Sequence, residues 1–240
     1  MKESHPMIDN LKITLRKFNL LSLAAMALFL VGGCASDRLK RSDNPEVVFN
    51  EGVRLLEEEH DYLIATEFFN EVRRRFPQSR FATLSELKQA DLEFMQDNYT
   101  EAAALYGVFV KLYPTHTQAD YALFREAESY FRDSPENTAR DQGSAGQALL
   151  RARRLTERYP QSKYVPEARE IIQKSRLKLA QKEAYVAEFY IKRKSWPAAV
   201  ERWNVIVNQF SDLKESKLPE SQQLYQKALS QSQELTARIK

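Results

Sequence analysis

Few residues in this chain can interrupt regular structure, because its 240 positions include only 6 glycines and 9 prolines. No stretch alternates polar and apolar residues in the way a half-buried β-strand would. Residues that favour helices, chiefly Ala, Leu, Glu, Lys, Arg and Gln, dominate after residue 44. The sequence therefore predicts an all-α fold.

The chain also lacks the residues that several kinds of site chemistry require. The single cysteine excludes an intramolecular disulfide and a thiolate metal cage. The three histidines, His5, His60 and His116, have no spaced partner for a metal site or a nucleophile relay. The chain has no Gly-rich phosphate loop and no nucleophile elbow. We therefore expect no catalytic residue, no metal and no cofactor, and a protein that holds other proteins.

The charge pattern argues against nucleic acid as a partner. The formal net charge is +3, and residues 1–33 contribute a large part of it through Arg16, Lys17 and two further lysines. In the rest of the chain charges of both signs are interspersed. A nucleic-acid-binding protein usually carries a basic footprint, so we expect none of that activity here.

The only long apolar run lies near the N-terminus, from Leu20 to Val31. It is too short for a membrane-spanning helix, which needs about 20 residues. Arg16 and Lys17 precede it and two glycines follow it, which is the pattern of a secretory leader. The sequence predicts a cleaved signal peptide over residues 1–33.

The segment Leu30-Val31-Gly32-Gly33-Cys34 resembles a bacterial lipoprotein box. The resemblance implies cleavage before Cys34 and acylation of that residue, by chains such as palmitate, which anchor a protein stably when several act together. Ala35 rather than an aspartate follows, which by the same resemblance favours the outer membrane. Residues 34–43 are then a lipidated tether. A cleaved leader with a chance cysteine, or an uncleaved N-terminal helix, are the alternatives.

An internal repeat follows the tether. In four places a small residue is followed by a large or small apolar residue at i+4, an apolar residue at i+7 and a helix breaker at i+12. The four sets are Ala65, Phe69, Val72 and Pro77; Ala102, Tyr106, Phe109 and Pro114; Ala148, Ala152, Leu155 and Pro160; and Ala199, Trp203, Ile206 and Ser211. The first three positions share one helical face, and proline ends a helix.

This pattern resembles the tetratricopeptide repeat, in which paired helices stack into a solenoid with a concave groove. The resemblance implies about five helical pairs in one domain over residues 44–240, with repeats near 44–79, 80–116, 117–162, 163–213 and 214–240. The spacing between repeats is uneven. We expect a long loop within 133–146, one long helix near 167–193, and a last helix near 219–239.

The lipoprotein box, the helical pairs and the irregular third and fourth repeats together resemble the BamD (ComL) family of outer-membrane lipoproteins. Local matches are Asn44-Pro45-Glu46, Arg75-Phe76-Pro77, Pro114-Thr115-His116, Arg140-Asp141-Gln142 and Tyr185-Val186-Ala187-Glu188-Phe189-Tyr190. The departure is Ser211, where a proline often stands, and it puts only that helix end in doubt.

The family resemblance implies a scaffold of the β-barrel assembly machine on the periplasmic face of the outer membrane. Its partners would be BamA, other subunits of the machine, and the C-terminal segments of unfolded barrel proteins. Candidates for a client-binding groove are Phe49, Val53, Leu87, Phe94, Tyr121 and Phe124. Each of these could instead belong to the core between repeats.

Arg202 matches the arginine that faces BamA in the family, and Arg193 and Lys194 lie close before it. These three are the candidates for the BamA interface. Arg202 could instead be a solvated side chain, and Arg193 and Lys194 could serve the end of the long helix. Two other functions stay open for the whole chain: an adaptor for cell-wall enzymes, and a pilotin for a secretin.

Overall fold

The computed structural model describes residues 40–239, and all regular structure in that range is helical. The nine α-helices are α1 (Pro45–Arg54), α2 (Tyr62–Arg75), α3 (Arg80–Met95), α4 (Tyr99–Leu112), α5 (Ala119–Asp133), α6 (Gly143–Arg158), α7 (Val165–Lys192), α8 (Trp196–Gln209) and α9 (Pro219–Ile239). A π-helical turn, Leu55–Glu59, follows α1, and a 3₁₀ turn, Ser211–Glu215, follows α8. The all-α fold class is confirmed.

The chain divides into two compact units, one up to Ser85 and the other from Glu86 onward. The described part of the first unit, here unit 1, contains α1, the π-helical turn, α2 and the beginning of α3. Unit 2 contains the remainder of α3 and all later helices. In unit 2, from α4 onward, each helix packs chiefly against its neighbours in sequence, as expected for helical hairpins joined by short turns.

Unit 1 is built around the crossing of α1 and α2. The Asn44 side chain caps α1 by accepting from the Glu46 N–H at 2.9 Å, and Asp61 caps α2 by accepting from the Ile64 N–H at 3.1 Å. At the crossing Gly52 faces the ring of Phe69, and a β-carbon on Gly52 would lie only 2.9 Å from that ring. Glycine therefore permits the close approach of the two helices.

The chain before α1 is bound to the end of α2. The Arg75 guanidinium donates to the Lys40 carbonyl at 3.1 Å and to the Asp43 carboxylate at 2.7 Å. Lys40 in turn forms an ion pair with Glu67. The last residues of the predicted tether are thus held against unit 1.

The repeat register predicted from sequence is confirmed by burial. Its small and large positions are almost completely buried in all four sets: Ala65, Phe69 and Val72; Ala102, Tyr106 and Phe109; Ala148, Ala152 and Leu155; Ala199, Trp203 and Ile206. In unit 2 these side chains enter two apolar clusters, one around Tyr106 and Leu155 and the other around Trp203.

The same helix ending recurs at α2, α4, α6 and α8. The N–H of the residue just after each helix bonds to the carbonyl four positions earlier at 2.8–3.1 Å; these cap residues are Phe76, Tyr113, Tyr159 and Phe210. A proline follows the first three caps, but Ser211 follows the fourth. α8 nevertheless ends in the same register, so this helix end does not require a proline, and the chain continues into the 3₁₀ turn.

The irregular part of the chain is also as expected. The loop between α5 and α6 spans residues 134–142, and α7 is a single helix of 28 residues from Val165 to Lys192. Lys178 and Lys182, one turn apart on α7, hold this loop by donating to its carbonyls. The predicted last helix is confirmed as α9.

Candidate partner-binding surfaces

A buried carboxylate organises the aromatic side chains of α3, α4 and α5 in unit 2. Asp91 accepts hydrogen bonds from the hydroxyls of Tyr106 at 2.6 Å and Tyr121 at 2.7 Å, both on Oδ1. Lys88 approaches its other oxygen at 3.1 Å. Burial, with the neighbouring negative charge of Asp91, raises the pKa of both tyrosines above the ordinary value. Both hydroxyls therefore remain donors and fix the two rings.

The side chain of Arg125 on α5 covers the ring of Phe94 on α3. Its guanidinium carbon lies 3.5 Å from the ring centroid of Phe94 and 6.0 Å from that of Tyr121. Glu128 binds the same guanidinium at 2.9 Å. The cation–π contact holds the Phe94 ring in one orientation while its edge stays partly accessible.

Phe124 continues this aromatic series toward α7. Its ring stacks on that of Tyr164, with centroids 5.0 Å apart and planes inclined by 7°, and Tyr164 also contacts Tyr121 at 5.7 Å. The stacked pair contributes one ring to each of two surface depressions. One, of about 350 Å³, is lined by Lys88, Asp91, Thr117, Gln118, Asp120, Tyr121, Lys163 and Tyr164. The other, of about 480 Å³, has Phe124, Phe131 and Ile171 among charged side chains.

The structure separates the six groove candidates into two groups. Phe49 and Leu87 are only 8% and 1% exposed, and Phe49 packs between the rings of Phe69 and Phe81 at 5.8 and 5.4 Å. These two support the fold and have little surface for a ligand. The half-buried candidates are Val53, Phe94, Tyr121 and Phe124. Of these, Tyr121 and Phe124 line the depressions.

The three candidates for a partner interface near the C-terminus have different surroundings. Arg202 pairs with Glu183 of α7 at 3.1 Å while 40% of its side chain stays exposed, and this hydrogen bond raises the pKa of Arg202. Arg193 caps α7 and its guanidinium lies 5.2 Å from the Phe189 centroid. Lys194 has a left-handed backbone, with φ of 58°, and its N–H bonds to the Ile191 carbonyl. Its position serves the turn between α7 and α8.

Sequence reasoning did not identify several residues that shape these surfaces. Asp91, Arg125 and Tyr164 order the aromatic side chains, but each acts through at least one ring on another helix. Tyr185 and Phe189 are exposed on α7, although helical spacing from the buried alanines of α7 could have indicated their position. Cys34 lies outside the described residues.

Within residues 40–239 no cluster of three or more His, Cys, Asp or Glu side chains is placed to hold a metal ion. The same residues contain no helix whose length and apolar character would allow it to cross a bilayer.

Comparison with known proteins gives consistent matches over most of the chain. A family model described as "Outer membrane lipoprotein" (YfiO) matches residues 41–238. The outer membrane protein assembly factor BamD of Caulobacter vibrioides is 30% identical over 189 residues, which are 77% of this chain and 61% of that protein. Proteins of the same name from Pasteurella multocida and Rickettsia prowazekii are 25% and 26% identical over 89% and 80% of this chain, and 86% and 76% of their own. The chain spans about three-fifths of the length of the Caulobacter relative.

Proposed function

This chain belongs to the outer membrane lipoprotein (YfiO) family, and we propose that it is an assembly factor for outer-membrane proteins. The observation that carries the proposal is the ordered aromatic surface of unit 2, where Tyr121, Phe124 and Tyr164 line open depressions. Such a surface suits an extended segment with apolar side chains, because the rings are fixed before binding. The relatives are named outer membrane protein assembly factors, and assembly of outer-membrane proteins is therefore the process to which we assign such binding.

In this proposal the protein is a scaffold with no catalytic role, anchored by acyl chains on Cys34 at the periplasmic face of the outer membrane. The half-buried aromatics Phe94, Tyr121 and Phe124, and Val53 in unit 1, contact C-terminal segments of unfolded barrel proteins. Phe49 lies in the core of unit 1 and Leu87 in the core of unit 2, where each helps to hold the helices of its own unit. The region around Arg202, Arg193 and Lys194 contacts BamA.

A paired affinity measurement tests the two binding roles. Phe124→Ala removes one ring of the stacked pair, so we expect about tenfold weaker binding of a peptide from the C-terminus of a barrel protein. Arg202→Glu places a carboxylate beside Glu183 and removes a cation from the surface, so we expect weaker binding of the isolated BamA periplasmic region. Each variant should leave the other affinity within about twofold.

Two exposed residues of α6 provide matched controls. Leu150→Ala removes apolar surface and Arg153→Glu reverses a charge away from both regions, so neither should change either affinity. Thermal melting of each variant checks that the helices stay folded. The assignment is wrong if Phe124→Ala binds the peptide like the unmodified protein, or if both variants lose both partners equally.

A further inference from the structure

The outward side of α4 carries an apolar stripe. Leu105, Val108 and Leu112 are 36%, 50% and 58% exposed, and their spacing of three and four residues puts them on one side of the helix. Of the nine large apolar side chains that are exposed within residues 40–239, three lie on α4, more than on any other helix. Single exposed apolar residues are ordinary, but a contiguous group marks a surface that contacts something other than water.

The packing of α4 does not account for this stripe. The buried residues of the helix are Ala102, Ala103, Tyr106, Phe109 and Val110. At about 100° per residue, Val108 lies about 200° around the helix from Tyr106. The hydroxyl of Tyr106 is bound to Asp91 on the aromatic side of unit 2. The stripe therefore faces away from the surface that we propose for peptide binding.

Helix α6 runs beside α4 and extends the same surface. Midway along both helices, Arg151 of α6 donates to the Glu126 carboxylate, and a β-carbon on Gly107 of α4 would lie 3.0 Å from that carboxylate. Just beyond their C-terminal ends, the Tyr159 hydroxyl donates to the Pro114 carbonyl at 2.9 Å. The two contacts are about two turns apart on each helix, so α4 and α6 lie side by side and run in the same direction.

The α6 part of this surface is cationic. Arg154 and Arg158 follow Arg151 at three- and four-residue spacing, so they share the side of α6 that borders α4. Lys111 adds a cation from α4 itself. Arg151 is paired with Glu126, but no carboxylate of residues 40–239 forms an ion pair with Lys111, Arg154 or Arg158. We name the outer face the set of residues Leu105, Val108, Lys111, Leu112, Arg154 and Arg158.

Cations outnumber carboxylates on these two helices. The exposed charged residues of α4 and α6 are the cations Lys111, Arg153, Arg154 and Arg158 and the carboxylates Glu101 and Glu157. The surface thus has a positive balance beside its apolar stripe. Charge complementarity requires an anionic partner that also offers an apolar environment.

The size and the residue types of the outer face favour a lipid surface over a protein. Three half-exposed aliphatic side chains offer much less than the roughly 800 Å² per partner that a stable protein interface buries, which argues against a second copy of this chain. None of the six residues is aromatic, whereas aromatic anchors dominate the energy of many protein interfaces. Long cationic side chains beside aliphatic ones suit a bilayer, because their charged ends reach phosphates while their stems lie along apolar surface.

We propose that the outer face lies against an anionic phospholipid bilayer. The three aliphatic side chains of α4 enter the boundary between headgroups and acyl chains, and the three cations bind lipid phosphates. If Cys34 is acylated, the tether keeps the bilayer within reach, so a weak contact is sufficient to orient unit 2. This role goes beyond the proposed function, and it directs the aromatic surface of unit 2 away from the membrane.

Co-sedimentation with vesicles tests the proposal. The protein is the mature chain from residue 34 with Cys34→Ser, so that acyl chains do not contribute. It should bind vesicles that contain phosphatidylglycerol, and bind more weakly to pure phosphatidylcholine or at high salt, because salt screens exposed charges. The apolar variant Leu105→Ser/Val108→Ser/Leu112→Ser and the cationic variant Lys111→Glu/Arg154→Glu/Arg158→Glu should each lose about fivefold or more in vesicle affinity.

Each outer-face variant has a matched control in unit 2. Tyr185→Ser/Phe189→Ser removes two rings that are 45% and 46% exposed on α7, and Arg169→Glu/Lys214→Glu/Lys217→Glu makes the same change in net charge at other exposed positions. Both controls should bind vesicles within about twofold of the unmodified chain, because their outer face is unchanged. Thermal melting checks the fold of every variant, and if one outer-face variant unfolds, the other still decides the question.

Several results would overturn the proposal. The unmodified chain could fail to bind anionic vesicles, a folded outer-face variant could bind them normally, or the charge control could lose as much affinity as the cationic variant. A dimer of the unmodified chain that the apolar variant abolishes, seen by analytical ultracentrifugation, would assign the face to a second copy. Loss of affinity for the BamA periplasmic region, with vesicle binding intact, would assign it to a protein. Normal peptide binding by Phe124→Ala would contradict the proposed function alone.

Discussion

Among the carboxylates of unit 2 that pair with a residue of another helix, that of Glu126 is the least exposed to solvent. It is 4% exposed on α5, where Arg151 of α6 donates to it. Gly107 of α4 leaves room for it, because a β-carbon there would lie 3.0 Å from a Glu126 oxygen. Burial raises the pKa of Glu126 more than Arg151 lowers it. This residue thus makes the stability of unit 2 depend on pH.

The sign of this dependence follows from proton linkage. A carboxyl group with a raised pKa in the folded state binds its proton more tightly there than in the unfolded chain. Its contribution to the free energy of unfolding is therefore present below the ordinary carboxyl pKa and is lost as pH rises through the raised value. We expect the free energy of unfolding of the unmodified protein, minus that of Glu126→Gln, to be larger at about pH 4 than at about pH 7.5. Urea titrations at both pH values measure it.

Glu51 in unit 1 is the control of opposite sign. The hydrogen bonds from Arg54 lower its pKa below the ordinary value. Its contribution is present above the ordinary pKa and is lost as pH falls, so the same difference for Glu51→Gln should rise with pH, by a small amount because the pair is partly exposed. Equal signs for the two variants would contradict the assignment.

Whether a single side chain lies in the core or at the surface was the hardest feature to predict from the sequence. Periodicity places an apolar residue on a helical face, but it does not decide whether that face meets the core or solvent. Phe49, Leu87 and Phe124 are all groove candidates on their spacing, each with the core as the alternative; Phe49 and Leu87 lie in the cores, whereas Phe124 lines a depression. The contacts that decide this, such as the stacking of Phe124 on Tyr164, join different helices.

Among the helices, close approach at a small residue is the feature that the sequence predicted best. Offsets of four and seven residues gave the buried face of α2, α4, α6 and α8, because they follow from helical geometry alone. The π-helical turn after α1 was not predicted. It ends at His60, whose backbone is left-handed with a φ of 54°. Histidine can adopt this conformation, but no neighbouring residue in the sequence indicates it.

Two glycines in helices should respond oppositely to replacement by alanine. At Gly52 the added methyl group would meet the fully buried Phe69 ring at 2.9 Å and Phe68 at 3.1 Å. Overpacking of this kind costs about 1–3 kcal/mol, so Gly52→Ala should lower the free energy of unfolding and the melting temperature. Denaturant titration followed by helical circular dichroism measures both.

Gly146 in α6 is the matched site, because nothing lies within 4 Å of a β-carbon placed there. Gly146→Ala should stabilise the protein by about 0.5–1 kcal/mol, since alanine has the higher helix propensity. If both substitutions changed stability in the same direction by similar amounts, the close contact at Gly52 would not be the determining factor.

At the scale of the whole molecule, the contacts of residues 40–43 limit how far unit 1 can lie from the proposed lipid anchor. Arg75 binds the Lys40 carbonyl and the Asp43 carboxylate, so this end of the tether is fixed on α2. The six peptide units between Cys34 and Lys40 span at most about 22 Å even when fully extended. If Cys34 carries acyl chains, Lys40 must stay within that distance of the bilayer surface, and the end of α2 can lie further away only by the reach of the Arg75 side chain.

The last prediction concerns Cys34 itself. Several acyl chains, each contributing about 0.8 kcal/mol per buried CH₂, would account for stable attachment to a membrane. Cys34→Ser should therefore leave the leader uncleaved or release the protein in soluble form, whereas the neighbouring Ser36→Ala should stay attached and processed. Mass spectrometry of the N-terminal peptide and membrane fractionation in cells depleted of BamA measure these outcomes. BamA is removed because docking could retain an unacylated protein, so a Cys34→Ser protein that still sediments with outer membranes under these conditions would show that Cys34 is not the anchor.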